Sequence, residues 1–288
     1  VTGRTASHNE QDERHASLDT TVAQPARRYN YWLGGKDNFA ADRASGDEIA
    51  QAFPKVRITA LENRRFLRRA TTFLAGEVGI RQFLDIGTGL PTADNTHEVA
   101  QRIAPDTRVV YVDNDPMVMA HARALLTSTP AGRTTYLEAD LREPESILAH
   151  PDLRATLDLT EPVGLMLVAV LHFIKGPAAA RIVRQLLDGL PVGSYLVMTH
   201  TTKDFASPAS SELYDAMLAS GRLDIWPRDH AEFSAFFDGL ELVAPGVVAA
   251  SDWRSDNEPE PRPGPGEVAV LGAVGQLRAR NPKPTDGR

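Results

Sequence analysis

From residue 82 onward the apolar positions fall into short runs: QFLDIG, RVVYVDND, TTYLEAD, VGLMLVAVLHF and GSYLVMTH. Glycine, proline or acidic residues punctuate each run, and runs of this length predict strands. Between them, helical patterns cover Asn95–Ile103, Pro116–Leu126 and Pro177–Leu190. Strands alternating with helices predict βαβ units and a parallel sheet. The last part has a different rhythm. Helices are expected near Ser207–Ser220 and Asp229–Phe237, followed by the strands LELVAPGVV and EVAVLGAVGQL. The loop between those strands, RSDNEPEPRPGPG, is too rich in proline for a crossover helix, so the two pair as a long antiparallel hairpin at the sheet edge.

Ahead of the sheet the pattern is helical. One helix begins near Phe39, and a longer one runs from Arg57 to Glu77 with an apolar face of Leu61, Phe66, Leu67, Ala70, Phe73 and Leu74. The basic run RRFLRR, Arg64–Arg69, reads as the exposed face of that second helix. The chain therefore divides into a mobile polar tail (1–18), a helical cap or lid (19–78), a core (79–276) and a short C-terminal tail (277–288). No internal repeat is present.

Composition narrows the function classes. Among 288 residues, 42% are apolar and 24% charged, as in an ordinary globular protein. The net charge of -7 gives no attraction for nucleic acid, so none is expected as a partner. With no cysteine, disulfides, thiolate metal sites and a cysteine nucleophile are excluded. No apolar run approaches the ~20 residues of a membrane span, and the N-terminus lacks an apolar signal core. A cytoplasmic protein without a membrane partner is expected.

The chemistry concentrates in FLDIGTGLPT, Phe83–Thr92, a strand entering a glycine turn and then a helix. Gly87 and Gly89, flanking Thr88, let the backbone turn sharply and approach a ligand. A dinucleotide fingerprint would place a third glycine at position 92, which is Thr92. A pyrophosphate at a helix N-terminus also has no need of a carboxylate such as Asp85 two residues before the first glycine. The ligand should therefore carry a cationic group. Asp113 ends the second strand, where a carboxylate accepts both hydroxyls of a ribose. Asp140 ends the third, where it can accept from an exocyclic amine, with Asn114 and Leu141 flanking the base. These requirements fit S-adenosylmethionine better than NAD.

The D-x-G-x-G turn resembles motif I of class I methyltransferases, and the strand order resembles their Rossmann-like, seven-stranded sheet. RYNYWLGGKDNFAADR, NRRFLRRA, RQFLDIGTGLPTADNTHEVAQ, VVYVDNDPMV and LMLVAVLHFI resemble, block by block, a group of actinobacterial methyltransferases long catalogued as a domain of unknown function. The resemblance covers roughly residues 20–275. It implies the fold and the cofactor, with S-adenosylhomocysteine as product, and leaves the acceptor open. It also implies a role for NYWLGGKDNF, whose Gly34-Gly35-Lys36 is followed by Asp37 and so is no phosphate loop. In the family this segment is expected over the cofactor cleft. Tyr29, Tyr31 and Trp32 would wall it and Lys36 would meet the methionine carboxylate; the alternative is a structural cap with Lys36 solvated.

Further candidates are Asn63 and Arg64 from the preceding helix, His97 or Asn95 at the amino-acid end, and Val170 beside the cofactor. His172 and His200, read as ending the fourth and fifth strands, are the candidate general bases; His172 is equally readable as packing. His97 and Glu98 are adjacent on a helix and face different ways, so no metal is expected. The main reading is methyl transfer to a small-molecule acceptor; the alternative is a protein that binds S-adenosylmethionine without transferring methyl.

Overall fold

In the computed structural model, which describes residues 19–125 and 127–279, three helices precede the sheet. The expected N-terminal tail, and all but three residues of the C-terminal one, lie outside the described residues. The first helix, α1 (Pro25–Trp32), was not readable from periodicity; Pro25 starts it with a φ already suited to a helix. It is followed by α2 (Ala40–Ala52) and α3 (Val56–Thr72), the latter continuing through a π-type turn, Phe73–Val78.

Five parallel strands follow: β1 (Gln82–Ile86), β2 (Arg108–Asp113), β3 (Arg133–Glu138), β4 (Gly164–Val168) and β5 (Tyr195–Thr201). Then come β6 (Leu240–Leu242), β7 (Val248–Ala249) and β8 (Val270–Leu277). The sheet order is β3-β2-β1-β4-β5-β8-β6, with β7 also on β8. β8 runs antiparallel to β5, β6 and β7. The expected hairpin is therefore present, but its first strand is split. Pro245 has no N–H for the ladder and Gly246 sits at φ +89, so pairing lapses between β6 and β7.

The connecting helices α4 (Thr96–Ile103) and α5 (Pro116–Leu125) match their patterns. Two short helices, α6 (Pro144–Ala149) and α7 (Pro151–Thr156), carry no signal in the sequence, because Pro151 divides the segment into pieces too brief to show a period. α8 (Ala178–Asp188), α9 (Pro208–Ala219), α10 (His230–Ser234) and α11 (Pro265–Val268) complete the chain. No helix among the described residues is long and apolar enough to cross a membrane.

Alternation along the strands builds two cores. Leu84, Val110 and Leu165 face α8 through Ile182 and Leu186. Phe83, Val109 and Met166 face α3 through Phe66 and Ala70. α3 crosses β8 closely, because Gly272 has no side chain: a Cβ there would lie 2.8 Å from the Phe66 ring. RRFLRR is consequently not a solvated face. Arg68 and Arg69 both reach Glu258, at 2.6 and 3.2 Å, and Arg69 Nη2 donates to the Ala250 carbonyl. A third, smaller core joins Trp32, Ile49 and Ala60 of the cap to Tyr214, Met217 and Leu223 around α9. The cap is thereby fixed above the point where the strand order reverses, between β1 and β4, the place where open α/β sheets bind ligands.

Candidate functional site

β1 ends in the glycine turn. Gly87 sits at φ +76 and Gly89 at φ +65, and a Cβ on Gly87 would lie 2.3 Å from Val170 Cγ2. A Cβ on Gly89 would meet nothing within 4 Å, so this side of the turn is open. The turn is held from β2: the Gly87 N–H donates to the Val112 carbonyl at 2.8 Å, and the Gly89 N–H to Asp113 Oδ2 at 2.9 Å. Asp113 Oδ1 also accepts from the Asp115 N–H at 3.0 Å. Burial raises the Asp113 carboxyl pKa against the pull of those N–H groups.

Asp85 is buried in β1 and accepts from Thr96 Oγ1 at 2.6 Å. Burial pushes its carboxyl up to about 6; the Thr96 hydrogen bond and the Arg64 guanidinium oppose that, and Asp113 adds to it. Arg64 donates through Nη2 to the Ala93 and Asp94 carbonyls at 3.1 and 3.0 Å, while its buried Nε has no partner.

A cavity of about 780 Å³ lies over these strand ends. Asp85, Gly87, Thr88, Gly89, Asp113 and Asn114 line it from β1 and β2. Asp140, Leu141 and Val170 line it from the ends of β3 and β4. From the cap come Tyr29, Trp32, Asn63 and Arg64. Asp140 also accepts from the Arg142 N–H at 2.8 Å, so it stabilises the following turn as well as facing the cavity.

Tyr29, Asn63 and the sheet are joined by a directional relay. Tyr29 Oη donates to the Ala60 carbonyl (2.9 Å) and accepts from Asn63 Nδ2 (2.9 Å). Asn63 Oδ1 accepts from Thr199 Oγ1 (2.6 Å), which accepts from the Ala169 N–H (2.9 Å). Ala169 lies at φ +55, a strained region for a residue with a Cβ.

That reversal corrects the reading of β4. The strand stops at Val168, and His172 lies beyond it on a 3-10 turn, Leu171–Phe173. His172 still lines the cavity, with Nδ1 3.2 Å from Thr201 Oγ1. Burial and the charges of His200, Arg228 and Arg28 hold its imidazole well below the usual range.

Five other expectations fall elsewhere. His200 does not line the cavity; Nδ1 bonds to the Thr201 carbonyl (2.9 Å) and Nε2 to Arg228 (2.5 Å), so neither nitrogen is free to take a proton. His97 turns into the protein, where its N–H and its Nδ1 each lie 2.8 Å from Tyr111 Oη. Lys36 is exposed and outside the cavity lining. The reason is local: GGKDN folds back on Asn30, whose Oδ1 accepts from the Asp37 N–H and Asn38 Nδ2, and this turns Lys36 outward. Tyr31 likewise points away, donating to Asp47 at 2.7 Å. Asn95 is taken up by the turn ahead of α4, its Oδ1 accepting from the Thr92 N–H (3.2 Å) and its own N–H donating to Glu98 (2.8 Å).

The cap side of the cavity was not legible in the sequence. Arg28, Phe53, Tyr214, Asp224 and Trp226 line it, brought together from segments up to 198 positions apart. Arg28 Nη2 meets both oxygens of Asp224, at 2.5 and 2.6 Å. These residues carry no motif or period; only the tertiary fold assembles them.

Three strand-end acids, an open glycine turn and a cap define a nucleoside-binding α/β enzyme of the methyltransferase class. A family model of S-adenosyl methyltransferases matches residues 11–278, and the chain belongs to that family. It is 46% identical to a DUF574 family protein of known crystal structure from Streptomyces avermitilis, with a TM-score of 0.85 over 90% of this chain and 99% of that one. A provisionally assigned methyltransferase from Thermobifida fusca is 45% identical, with a TM-score of 0.82 over 91% and 97% of the two chains. An O-methyltransferase family protein from Burkholderia thailandensis, at 14% identity and TM-score 0.52, shares the fold over 94% of this chain and 71% of its own. No curated protein matches the chain. The chain is thus a methyltransferase that uses S-adenosylmethionine. Its residues fit that ligand: a cationic orphan atom on Arg64, acids at three strand ends, and a glycine turn open toward the cavity.

Proposed function

We propose that the enzyme methylates a small organic acceptor, held under the cap beside the cofactor. The observation that carries this is the continuity of the cavity from Asp140 at the sheet to Tyr214 and Trp226 beneath the cap. Its volume of about 780 Å³ lies toward the upper end of small-molecule sites and leaves room for a second molecule.

In this reading Asp113 receives the ribose hydroxyls, and Asp140, Asn114 and Leu141 border the adenine. Asp85 takes the ammonium group. Arg64, rather than Lys36, takes the carboxylate, since it lines the cavity and lies close enough for its charge to act on Asp85. S-adenosylmethionine supplies a methyl group already activated by its sulfonium, so the protein contributes alignment more than acid–base power. Tyr29 and Asn63 contribute that alignment, because the relay through Thr199 fixes the end of β4 against the cap. His172 is the histidine left able to handle an acceptor proton; His200 has both nitrogens engaged.

Incubation with methyl-labelled S-adenosylmethionine and a fractionated metabolite extract tests the proposal. Label is expected in a low-molecular-weight fraction, and more slowly so with Asn63→Ala. Label recovered only in macromolecules would overturn it.

A further inference from the structure

The cap side of the cavity is more specific in its chemistry than a generic acceptor space. Two of the chain's three tryptophans, Trp32 and Trp226, line it. Phe53, Phe173, Phe205 and Tyr214 line it as well. Phe53 and Tyr214 pack with ring centroids 5.3 Å apart, and the Phe173 ring lies 4.4 Å from that of His172. Aromatic walls favour flat ring systems, through offset or edge-on contacts beyond simple burial.

Three cations that line this side are already paired. Arg28 is bidentate to Asp224, Lys55 meets Glu267 at 2.7 Å, and Lys203 meets Asp215 at 2.8 Å. An anionic acceptor would have to displace a carboxylate already paired with one of them, and against the aromatic walls an unpaired charge is costly. A polar atom beside these rings remains available. Among the described residues His172 Nε2 has no hydrogen-bond partner, while Thr201 holds the other ring nitrogen.

We propose that this half of the cavity is an acceptor subsite for an uncharged aromatic ring system carrying a hydroxyl, the rings against Phe53, Tyr214 and Trp226 and the hydroxyl on His172. This rests on the cofactor-side assignment above, and the test separates the two.

The full chain is titrated calorimetrically with S-adenosylhomocysteine, and the saturated protein is then titrated with 2-naphthol, naphthalene, 2-naphthoate and decahydro-2-naphthol. 2-Naphthol should bind, with the anionic and the saturated compounds each at least tenfold weaker. Trp226→Leu and, independently, Phe53→Leu should weaken 2-naphthol at least tenfold and leave S-adenosylhomocysteine affinity within twofold, which also certifies the fold. His172→Ala should narrow the difference between 2-naphthol and naphthalene. Naphthoate or the saturated alcohol binding as tightly as 2-naphthol overturns the subsite. So does the absence of 2-naphthol binding to a protein that binds S-adenosylhomocysteine. Absence of S-adenosylhomocysteine binding instead overturns the cofactor-side assignment itself.

Discussion

Thr199 on β5 donates to Asn63 on the cap helix α3 at 2.6 Å, and this bond fastens the cap to the sheet inside the site. Both residues are buried, and the hydroxyl also satisfies the N–H of the strained Ala169. Thr199→Val keeps the shape but leaves the Asn63 oxygen and the Ala169 N–H unpartnered. A loss of roughly 1–3 kcal/mol in folding stability is expected, the scale for a buried unsatisfied polar group. Urea unfolding measures it. An unchanged midpoint would mean that water replaces the hydroxyl and the relay contributes nothing.

Asp113→Ala is expected to weaken S-adenosylhomocysteine binding by roughly 1.5–3 kcal/mol, the range for hydrogen bonds to a charged group. The structure adds a second route to that loss, because Asp113 also holds the Gly89 N–H. Calorimetry on a folded variant decides it, with NAD as the negative control in the wild type. Full affinity would remove Asp113 from the site.

The sheet and the acids were legible because they obey local rules. Each strand is a short apolar run between polar or glycine punctuation, and Asp85, Asp113 and Asp140 lie within two residues of a strand end. Lys36 was misplaced because its meaning depends on Asn30, whose side chain organises the turn from five and more residues upstream. The sequence extends the strand to His172 because an apolar run does not reveal the left-handed turn at Ala169 that ends it. The aromatic subsite was invisible for a different cause: Phe53 and Tyr214 touch across 161 positions, and neither segment is unusual by itself.

Cofactor affinity should depend on pH through Asp85. In the free protein burial pushes its carboxyl up to about 6, so below that pH the site is mainly protonated. A ligand ammonium binds the carboxylate form and pulls its pKa down, so affinity falls as pH falls through 6, about tenfold per unit below it. Asp113, whose carboxyl is also raised by burial, shifts in the same direction. Titration of S-adenosylhomocysteine from pH 7.5 to 5 should show this decline, with proton release on binding near pH 6. Asp85→Asn should bind more weakly at pH 7.5 and show a shallower dependence. A wild-type affinity flat across this range would exclude Asp85 as the ammonium partner.

The stretch NYWLGGKDNF invites a prediction of lid motion, with trypsin cleavage at Arg27 and Arg28 suppressed by cofactor. The structure reverses that expectation. Arg27 is 1% exposed, pairs with Asp42 at 3.4 Å and donates to the Asp19 and Val22 carbonyls. Arg28 is 6% exposed and bound to Asp224. A hinge needs backbone and side chains free to move, whereas Arg27 is pinned to α2 and the segment before α1, and Arg28 to Asp224. Both bonds should therefore resist trypsin with or without S-adenosylhomocysteine. Removing residues 1–38 should do more than open a lid, since it takes Trp32 from the third core and uncovers Ile49, Tyr214 and Met217. Burying one such side chain contributes roughly 1.5–3 kcal/mol, so the truncated chain should unfold at distinctly lower urea concentration and bind S-adenosylhomocysteine weakly. Lys36→Ala, at an exposed position, should leave both stability and affinity unchanged. Rapid cleavage at Arg27 or Arg28 that the ligand abolishes would restore the mobile-lid account and show that the pinned arrangement is only one of its states.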